Sequence, residues 1–233
     1  MDWLPCSILF LALLAVVLYW ELVIAEGAHL GPRVVVWLYD LVAPRYEKIK
    51  KFDLETEADL VGLPLTEALL AANVDRPRVL DVAAGDGRVA RALMRQIAFD
   101  GAVTSLDLST RMVAQGRREC ATWPDRAHWL LGPADPLPFA ADTFDAVTCL
   151  EALEFLPDAR AALAECLRVL RAGGVLMVTN RVGFEARLIV GKTFSRPAFA
   201  QLLGEFPIED VRIHPWQVDY DLAWGRKTVN SHQ

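Results

Sequence analysis

The segment Val79-Leu80-Asp81-Val82-Ala83-Ala84-Gly85-Asp86-Gly87 joins an apolar strand to a glycine-containing turn, and a helical pattern begins at Arg88. Glycines at such a turn let a ligand approach the backbone closely, and the first turn of the following helix offers free N–H donors. The spacing Gly85-x-Gly87-x-x-Ala90 also satisfies the relaxed dinucleotide pattern. The segment therefore predicts a cofactor built on adenosine, and a nicotinamide or flavin enzyme stays open at this step.

A second acidic residue supports this cofactor site. Asp107 ends the next predicted strand, where its carboxylate is placed to accept hydrogen bonds from both hydroxyls of a ribose. This arrangement fits either class of cofactor.

Apolar strands alternate with helical patterns after residue 75, which is typical of a parallel sheet with helical crossovers and a ligand at the carboxyl ends of its strands. Two extended runs, 209–217 and 220–226, follow a helix over 195–205 and predict an antiparallel hairpin at the sheet edge. The fold class is α/β: a doubly wound, mostly parallel, seven-stranded Rossmann-like sheet. The other predicted strands are 78–82, 102–106, 127–131, 144–149 and 175–179, and the other predicted helices are 65–72, 87–97, 110–119 and 159–170.

The N-terminal segment predicts one transmembrane helix. No charged side chain occurs from Trp3 to Trp20, and the apolar run resumes after Glu21, which we expect at the second membrane interface. About 20 helical residues cross a hydrocarbon core of roughly 30 Å. A signal peptide would begin with a basic region rather than Met1-Asp2, and a core helix would show a polar stripe. We therefore predict a retained anchor over residues 1–26.

Charge predicts how this anchor is oriented. No Lys or Arg precedes the span, whereas Arg33, Arg45 and three lysines at 48, 50 and 51 follow it, so the positive-inside rule places the domain in the cytoplasm. The region from 34 to 51 is typical of an amphipathic helix broken at Pro44. Its apolar face either lies against the bilayer or covers the domain.

Composition limits the other partners. The 233 residues suffice for one catalytic unit, and the 24 basic against 30 acidic residues give a net charge of -6. This balance argues against nucleic acid as a partner. The four cysteines have neither disulfide-rich nor zinc-like spacing, which agrees with a reducing compartment, and we predict no metal site.

Five motifs, taken in order over residues 75–230, resemble those of class I S-adenosylmethionine-dependent methyltransferases. Asp81 to Gly87 is similar to the family's D-x-x-x-G-x-G, and the segment 105–109 around Asp107 is similar to its second motif. The segments 137–147, 153–158 and 167–174 resemble its L-P-F…D-x-S-F-D-A-V, L-E-H-L-x-D and R-V-L-K-P-G-G. The chain is most similar to the small-molecule and lipid group, which includes quinone C-methyltransferases and phospholipid N-methyltransferases.

The resemblance implies S-adenosylmethionine as the cofactor, residues 75–233 as the domain that binds it, and residues 27–74 as a linker and helices that cap the site. Residues 39–46 resemble the Y-D-x-x-A-x-x-Y segment that caps the cofactor in these enzymes, although Tyr39 and Tyr46 also fit ordinary packing on a helix face. The implied cofactor-binding residues are Tyr39, Tyr46, Asp81, Ala83, Gly85, Gly87, Asp107, Leu108, Ala134, Asp135 and Leu150.

Three positions depart from the family pattern. Ala83 stands where a glycine is common, and Phe155 replaces a frequent histidine. Pro133 stands where the family places an aspartate near the adenine, which leaves Asp135 as a substitute acceptor. A weaker cofactor site would be the consequence of the change at Pro133.

Methyl transfer from a sulfonium needs alignment and desolvation more than covalent help, and a general base only if the nucleophile carries a proton. We identify no catalytic base, since His128, His214 and His232 lie outside the predicted cofactor loops. Glu151 and Glu154 either face the pocket or are solvated or capping residues.

The favoured hypothesis is a membrane-anchored methyltransferase acting on a lipidic small molecule such as a quinone or a phospholipid. The anchor motivates this choice, because it raises the effective concentration of a substrate confined to the membrane. A soluble or protein substrate is the alternative to that acceptor. A non-catalytic subunit of a membrane complex is the second hypothesis, and a nicotinamide oxidoreductase is the third.

Overall fold

The computed structural model describes residues 3–46 and 53–229. Its centre is a seven-stranded sheet with the strand order β3-β2-β1-β4-β5-β7-β6. The strands are β1 (Arg78–Val82), β2 (Ala102–Asp107), β3 (Ala127–Leu131), β4 (Phe144–Cys149), β5 (Leu170–Arg181), β6 (Ile208–Trp216) and β7 (Tyr220–Lys227).

Helices precede the sheet and connect its strands. The N-terminal ones are α1 (Trp3–Tyr19), α2 (Pro32–Val42), α3 (Leu54–Glu57) and α4 (Leu63–Ala71), with π-helical turns at Trp20–Ile24 and Ala58–Gly62 and a 3-10 turn at Ala43–Arg45. The others are α5 (Arg88–Met94), α6 (Thr110–Glu119), α7 (Ala159–Val169), α8 (Gly183–Leu188) and α9 (Arg196–Gly204), with a 3-10 turn at Leu153–Phe155.

The sheet is doubly wound as predicted. β1 pairs in parallel with β2 and β4, β2 with β3, and β4 with β5, whereas β7 runs antiparallel to both β5 and β6. The order reverses between β2 and β4, so their loops diverge beyond the carboxyl end of β1. A ligand crevice forms where the strand order reverses in this way. The predicted fold class is confirmed, and the sheet is closed by the predicted C-terminal hairpin.

Some boundaries differ from the predictions. β5 begins at Leu170 rather than at residue 175, because the buried Leu170 pairs with Phe144 before the ladder shifts register and resumes. The helix predicted over 87–97 ends at Met94, and Gln96 instead donates from its side-chain amide to the carbonyl of Ala58, 2.8 Å away. Both changes come from contacts between segments that are distant in the sequence.

The N-terminal apolar segment is helical and projects from the domain. The span Pro5–Ile24 is long and apolar enough to cross a membrane, and little of it is buried in the structure, unlike a core helix. The prediction for Glu21 is wrong: it is 8% exposed, and its Oε1 lies 3.0 Å from His29 Nδ1. A buried carboxylate is stable only with such partners, so the end of this helix belongs to the folded domain rather than to the lipid interface.

The amphipathic helix predicted over 34–51 is α2 followed by the 3-10 turn, which confirms the break at Pro44. Its predicted continuation to Lys51 lies outside the described residues. The two alternatives for its apolar face are both realised: Val35 lies in the wall of a cavity, whereas Trp37 and Leu41 are exposed. α2 therefore covers the domain with one side and leaves apolar rings and side chains on the other.

Candidate cofactor and acceptor site

A cavity of about 360 Å³ lies beyond the carboxyl ends of β1, β2 and β4, beneath α2. Its wall combines carboxylates from the strand ends with apolar side chains from α2 and from the loop after β4. Among the residues in the wall are the acidic Asp81 and Asp107 and the apolar Val35, Val36 and Phe155. The cavity therefore offers both a charged and an apolar environment.

Asp107 ties the loops after β1 and β2 together. Its Oδ2 accepts the backbone N–H of Gly85 at 2.8 Å, and its Oδ1 accepts that of Ser109 at 2.8 Å. Burial raises the pKa of Asp107, and these backbone donors oppose that rise. A carboxylate has about four acceptor sites, so the capacity for two further donors remains. This is the geometry required to hold a pair of ribose hydroxyls.

Asp81 lies at the end of β1 with almost no exposed surface. Burial raises its pKa to about 7, although the Thr148 hydroxyl donates to Oδ1 at 2.6 Å and favours the ionised form. A cationic ligand in the cavity would favour ionisation further. Asp81 is thus poised to change protonation state when such a ligand binds.

The turn after β1 uses left-handed backbone conformations. Ala83 has φ +55° and Gly85 has φ +56°, and both line the cavity. Gly87 has φ +86°, and it is the one predicted cofactor residue, all of which lie in the described ranges, that is not in the cavity wall. A Cβ on Gly87 would come within 2.3 Å of Trp129 Cη2, so a glycine is needed there to let the helix start against this ring.

Aromatic rings close the cavity from the side of α2. Tyr39 and Tyr46 have ring centroids 5.9 Å apart, and Tyr39 also meets Phe155 edge-on at 5.7 Å. The Tyr39 hydroxyl donates to Glu26 Oε2 at 3.0 Å, and burial raises the pKa of both tyrosines, so they stay neutral. The rings therefore form a rigid, uncharged part of the wall.

The remaining predicted residues are in the same wall. Leu108 follows Asp107, Leu150 ends β4, and Ala134 and Asp135 lie in the loop after β3. Asp135 is exposed, whereas Pro133, also in the wall, has neither a side-chain acceptor nor an N–H donor. The structure therefore brings the predicted set together around one cavity, with Asp135 at its solvent side.

Residues 80–178 match the family described as the methyltransferase domain. The chain contains a class I methyltransferase domain. This match resolves the ambiguity of the Gly85-x-Gly87 spacing in favour of S-adenosylmethionine as the cofactor. The site fits that group, because buried carboxylates face a cavity of the size of a small ligand and S-adenosylmethionine carries cationic groups together with a ribose diol.

Two curated relatives show what the methyltransferase domain is similar to. A demethylmenaquinone methyltransferase from Beutenbergia cavernae is 40% identical over 156 residues, which are 64% of this chain and 58% of the relative. A ubiquinone/menaquinone biosynthesis C-methyltransferase UbiE from Roseobacter denitrificans is 39% identical over 134 residues, which are 55% of this chain and 53% of the relative. The chain thus spans little more than half the length of these relatives.

One solved structure shows how widely this fold is used. The [4+2]-cyclase SpnF has a TM-score of 0.70 with 20% identity, and the match covers 86% of this chain and 98% of that one. At this identity the likeness shows the fold of the methyltransferase domain alone, because unrelated chemistries share folds.

Three contacts around the site have no signal in the sequence motifs. Asp40 accepts the Ser109 hydroxyl at 2.5 Å and so fastens α2 onto the loop after β2, while Ser109 Oγ also caps α6 by accepting from Met112 N–H at 3.1 Å. The Arg88 guanidinium donates to Glu151 Oε1 at 2.7 Å and lies 3.4 Å from Glu57 Oε2. These partners come from different elements, so only the folded chain brings them together.

The two glutamates after β4 have different positions, and neither is solvated. Glu151 lies in the cavity wall with φ +50°, and its backbone N–H donates to Thr179 Oγ1 at 2.6 Å. Glu154 is 1% exposed, and its Oε1 accepts the Tyr220 hydroxyl at 2.7 Å. Burial raises the pKa of Glu154. A strained backbone in a ligand cavity is typical of a functional position, which draws attention to Glu151.

Proposed function

We propose that this chain is a membrane-anchored, S-adenosylmethionine-dependent methyltransferase that acts on a lipidic acceptor of the quinone type. The observation that carries the proposal is the mixed wall of the cavity. Asp81 and Asp107 suit a polar, cationic cofactor, and Val35, Val36 and Phe155 suit an apolar acceptor. The names of the two curated relatives support a quinone as the acceptor class.

The predicted residues receive the following roles. Asp107 accepts the ribose hydroxyls, Asp81 faces a cationic group of the cofactor, and the backbone at Ala83 and Gly85 lies against it. Asp135 replaces the missing aspartate near the adenine. The residues assigned to packing against the cofactor or covering it are Tyr39, Tyr46, Leu108, Ala134 and Leu150, and Gly87 supports the turn from below.

When bound, S-adenosylmethionine supplies an electrophilic methyl group, so the chain needs to align the acceptor, exclude water and take up a proton from it. The histidines in the described part of the chain, His29, His128 and His214, do not line the cavity. We propose that Glu151 holds the hydroxyl of a phenolic acceptor and accepts its proton. The ion pair with Arg88 and the contact with Thr179 fix the position of this carboxylate.

Glu154 provides a matched control for this role. Glu151→Gln should lower kcat by about a hundredfold or more, the usual contribution of a general base, while S-adenosylmethionine binds as before. Glu154→Gln changes a neighbouring carboxylate that is bonded to Tyr220 and should affect stability rather than the pH profile of kcat. Equal loss of kcat in both variants, with an unchanged pH profile, would remove Glu151 from the mechanism.

The helix over Pro5–Ile24 supports the membrane anchor. Its composition and length suit a bilayer, and lysines and arginines follow it, which favours a cytoplasmic domain. An anchored enzyme meets a lipid substrate in two dimensions and at a high effective concentration. A cleaved signal peptide is the competing possibility, against which the buried contacts of Trp20 and Glu21 with the domain argue.

The test is transfer of labelled methyl from S-adenosylmethionine by the full chain in vesicles supplemented with extracted membrane lipids. Label in prenylated quinones would support the proposal, and label in phospholipid would replace the acceptor class. Label only in soluble molecules or protein would refute a lipidic acceptor. S-adenosylmethionine binding without any transfer would favour the second candidate, a non-catalytic subunit of a membrane complex, which the departures at Ala83 and Pro133 motivate.

A further inference from the structure

The base of the N-terminal helix is fastened to the segment after β5. We call residues 183–191, which comprise α8 and the turn that follows it, the 183–191 segment. Trp20 Nε1 donates to the Leu188 carbonyl at 2.9 Å, and His29 Nε2 lies 2.9 Å from the Val190 carbonyl. Ile189 is fully buried against Ala25 and Ala28. The 183–191 segment is therefore held next to the point where the apolar helix leaves the domain.

This segment exposes side chains that suit a membrane interface. Phe184 is 73% exposed and Val190 is 70% exposed, and the exposed Arg187 lies between them in the sequence. Leu30, which follows His29 at the same junction, is also exposed. Apolar side chains close to a cationic one are typical of surfaces that lie at the headgroup level of a bilayer.

The length of the apolar helix fixes the distance between the domain and the membrane. The span Pro5–Ile24 has 20 residues, about the number needed to cross the hydrocarbon core, so it has no surplus length. Its last residues are already in contact with the domain, since Glu21 and Ala25 are buried there. When the helix spans the bilayer, the 183–191 segment must lie at the membrane surface.

We infer that the 183–191 segment is a second membrane contact, in which Phe184 and Val190 enter the interface and Arg187 meets the phosphates of anionic lipids. The inference rests on the anchor in the proposed function. It has a consequence for the active site, because the segment follows the carboxyl end of β5 and the cavity lies at the same edge of the sheet. The edge that carries the cavity then faces the bilayer.

The test measures the depth of single labels in the full chain. In a Cys6→Ser background, which leaves buried cysteines at 120, 149 and 166, an environment-sensitive fluorophore is attached to Phe184→Cys or Val190→Cys. Phe10→Cys reports on the anchor. Ile97→Cys is the matched control, because Ile97 is an exposed apolar residue between α5 and β2, at the opposite edge of the sheet. The vesicles contain phosphatidylcholine and phosphatidylglycerol, with or without brominated acyl chains.

We expect labels at 184 and 190 to shift to shorter wavelength and to be quenched by brominated lipid, while the label at 97 does neither. Labels at 184 and 190 that behave like the label at 97, with the label at 10 still quenched, would overturn the inference and leave the anchor intact. An unquenched label at 10 would overturn the anchor itself. A wavelength shift that grows with the protein-to-lipid ratio would assign the segment to contact between copies instead.

Discussion

Ala83→Gly should stabilise the protein, although glycine usually destabilises a folded chain. Ala83 has φ +55°, and a left-handed conformation costs an L-residue about 1–2 kcal/mol. Glycine removes this cost but adds roughly 0.4–1 kcal/mol of conformational freedom to the unfolded chain. The first term is larger, so we expect a net gain of about 0.5–1 kcal/mol in the free energy of unfolding.

The neighbouring Ala84 is the matched control. It is buried and lies outside the left-handed region, and its N–H donates to the Leu106 carbonyl at 3.0 Å. Ala84→Gly gains nothing from relief of strain and loses about 0.5–1 kcal/mol through the greater flexibility of glycine, plus roughly 0.8 kcal/mol for the buried methyl group. The two substitutions should therefore change stability in opposite directions.

Thermal unfolding of the full chain in mild detergent measures both effects. A change of about 1 kcal/mol shifts Tm by roughly 2–4 °C in a domain of this size, so Ala83→Gly should raise Tm by about 1–4 °C and Ala84→Gly should lower it. The affinity for S-adenosylmethionine, measured by calorimetry, should stay close to that of the parent for Ala83→Gly. A fall in Tm for Ala83→Gly as large as that for Ala84→Gly would refute the strain at this position.

Three further variants test the site and its support. Asp107→Asn should weaken S-adenosylmethionine binding by roughly tenfold or more, since a lost charged hydrogen-bond acceptor costs about 1.5–3 kcal/mol, whereas Asp145→Asn, at the opposite edge of the sheet, should lower Tm alone; equal affinities would contradict the role of Asp107. Burial raises the pKa of Asp81 to about 7 from 3.8, so the folded chain holds this proton more tightly than the unfolded one, and the stability that the neutral form contributes is lost as pH rises from about 4 through 7. A cationic cofactor needs the ionised form, so its affinity should rise as pH passes upward through 7, and Asp81→Asn should flatten that titration. Gly116→Ala should lower Tm despite a helix-propensity gain of about 1 kcal/mol, because the new Cβ would lie 2.0 Å from Trp129 Cη2; in a Trp129→Leu background the same change should raise Tm, and a rise in the parent would exclude the clash.

The sheet and the cofactor loops could be predicted because their signals are local. Each buried strand is an apolar run bounded by turn residues, and Asp81, Gly85 and Asp107 lie at strand ends, which meet at one edge of a parallel sheet. The position of a residue relative to its strand was therefore enough to place it in the cavity. The domain limits proposed from the sequence, at residues 26 and 74, stay predictions.

The rest depended on contacts between distant segments. Glu21 was expected at the lipid interface because helix length and polarity alone put it there, whereas His29 in the following turn makes burial possible. The partnership of Arg88 with Glu151 had no signal either, since the two residues come from α5 and from the loop after β4. Hydropathy patterns report which face is apolar, but the partner of a buried charge is set by tertiary packing.

Helix α2 links the membrane junction to the cofactor loops through two adjacent residues. Tyr39 donates to Glu26, which lies at the end of the anchor and also 3.4 Å from Arg181 Nη1, while Asp40 accepts from Ser109 beside the cofactor carboxylate. A displacement of α2 that opened the cavity would have to break bonds at both places. Coupling between two sites through one element is reciprocal, so whatever holds the junction in place also holds the roof over the cofactor. The seating of this domain on a membrane and the affinity of its cavity are thus properties of the same helix.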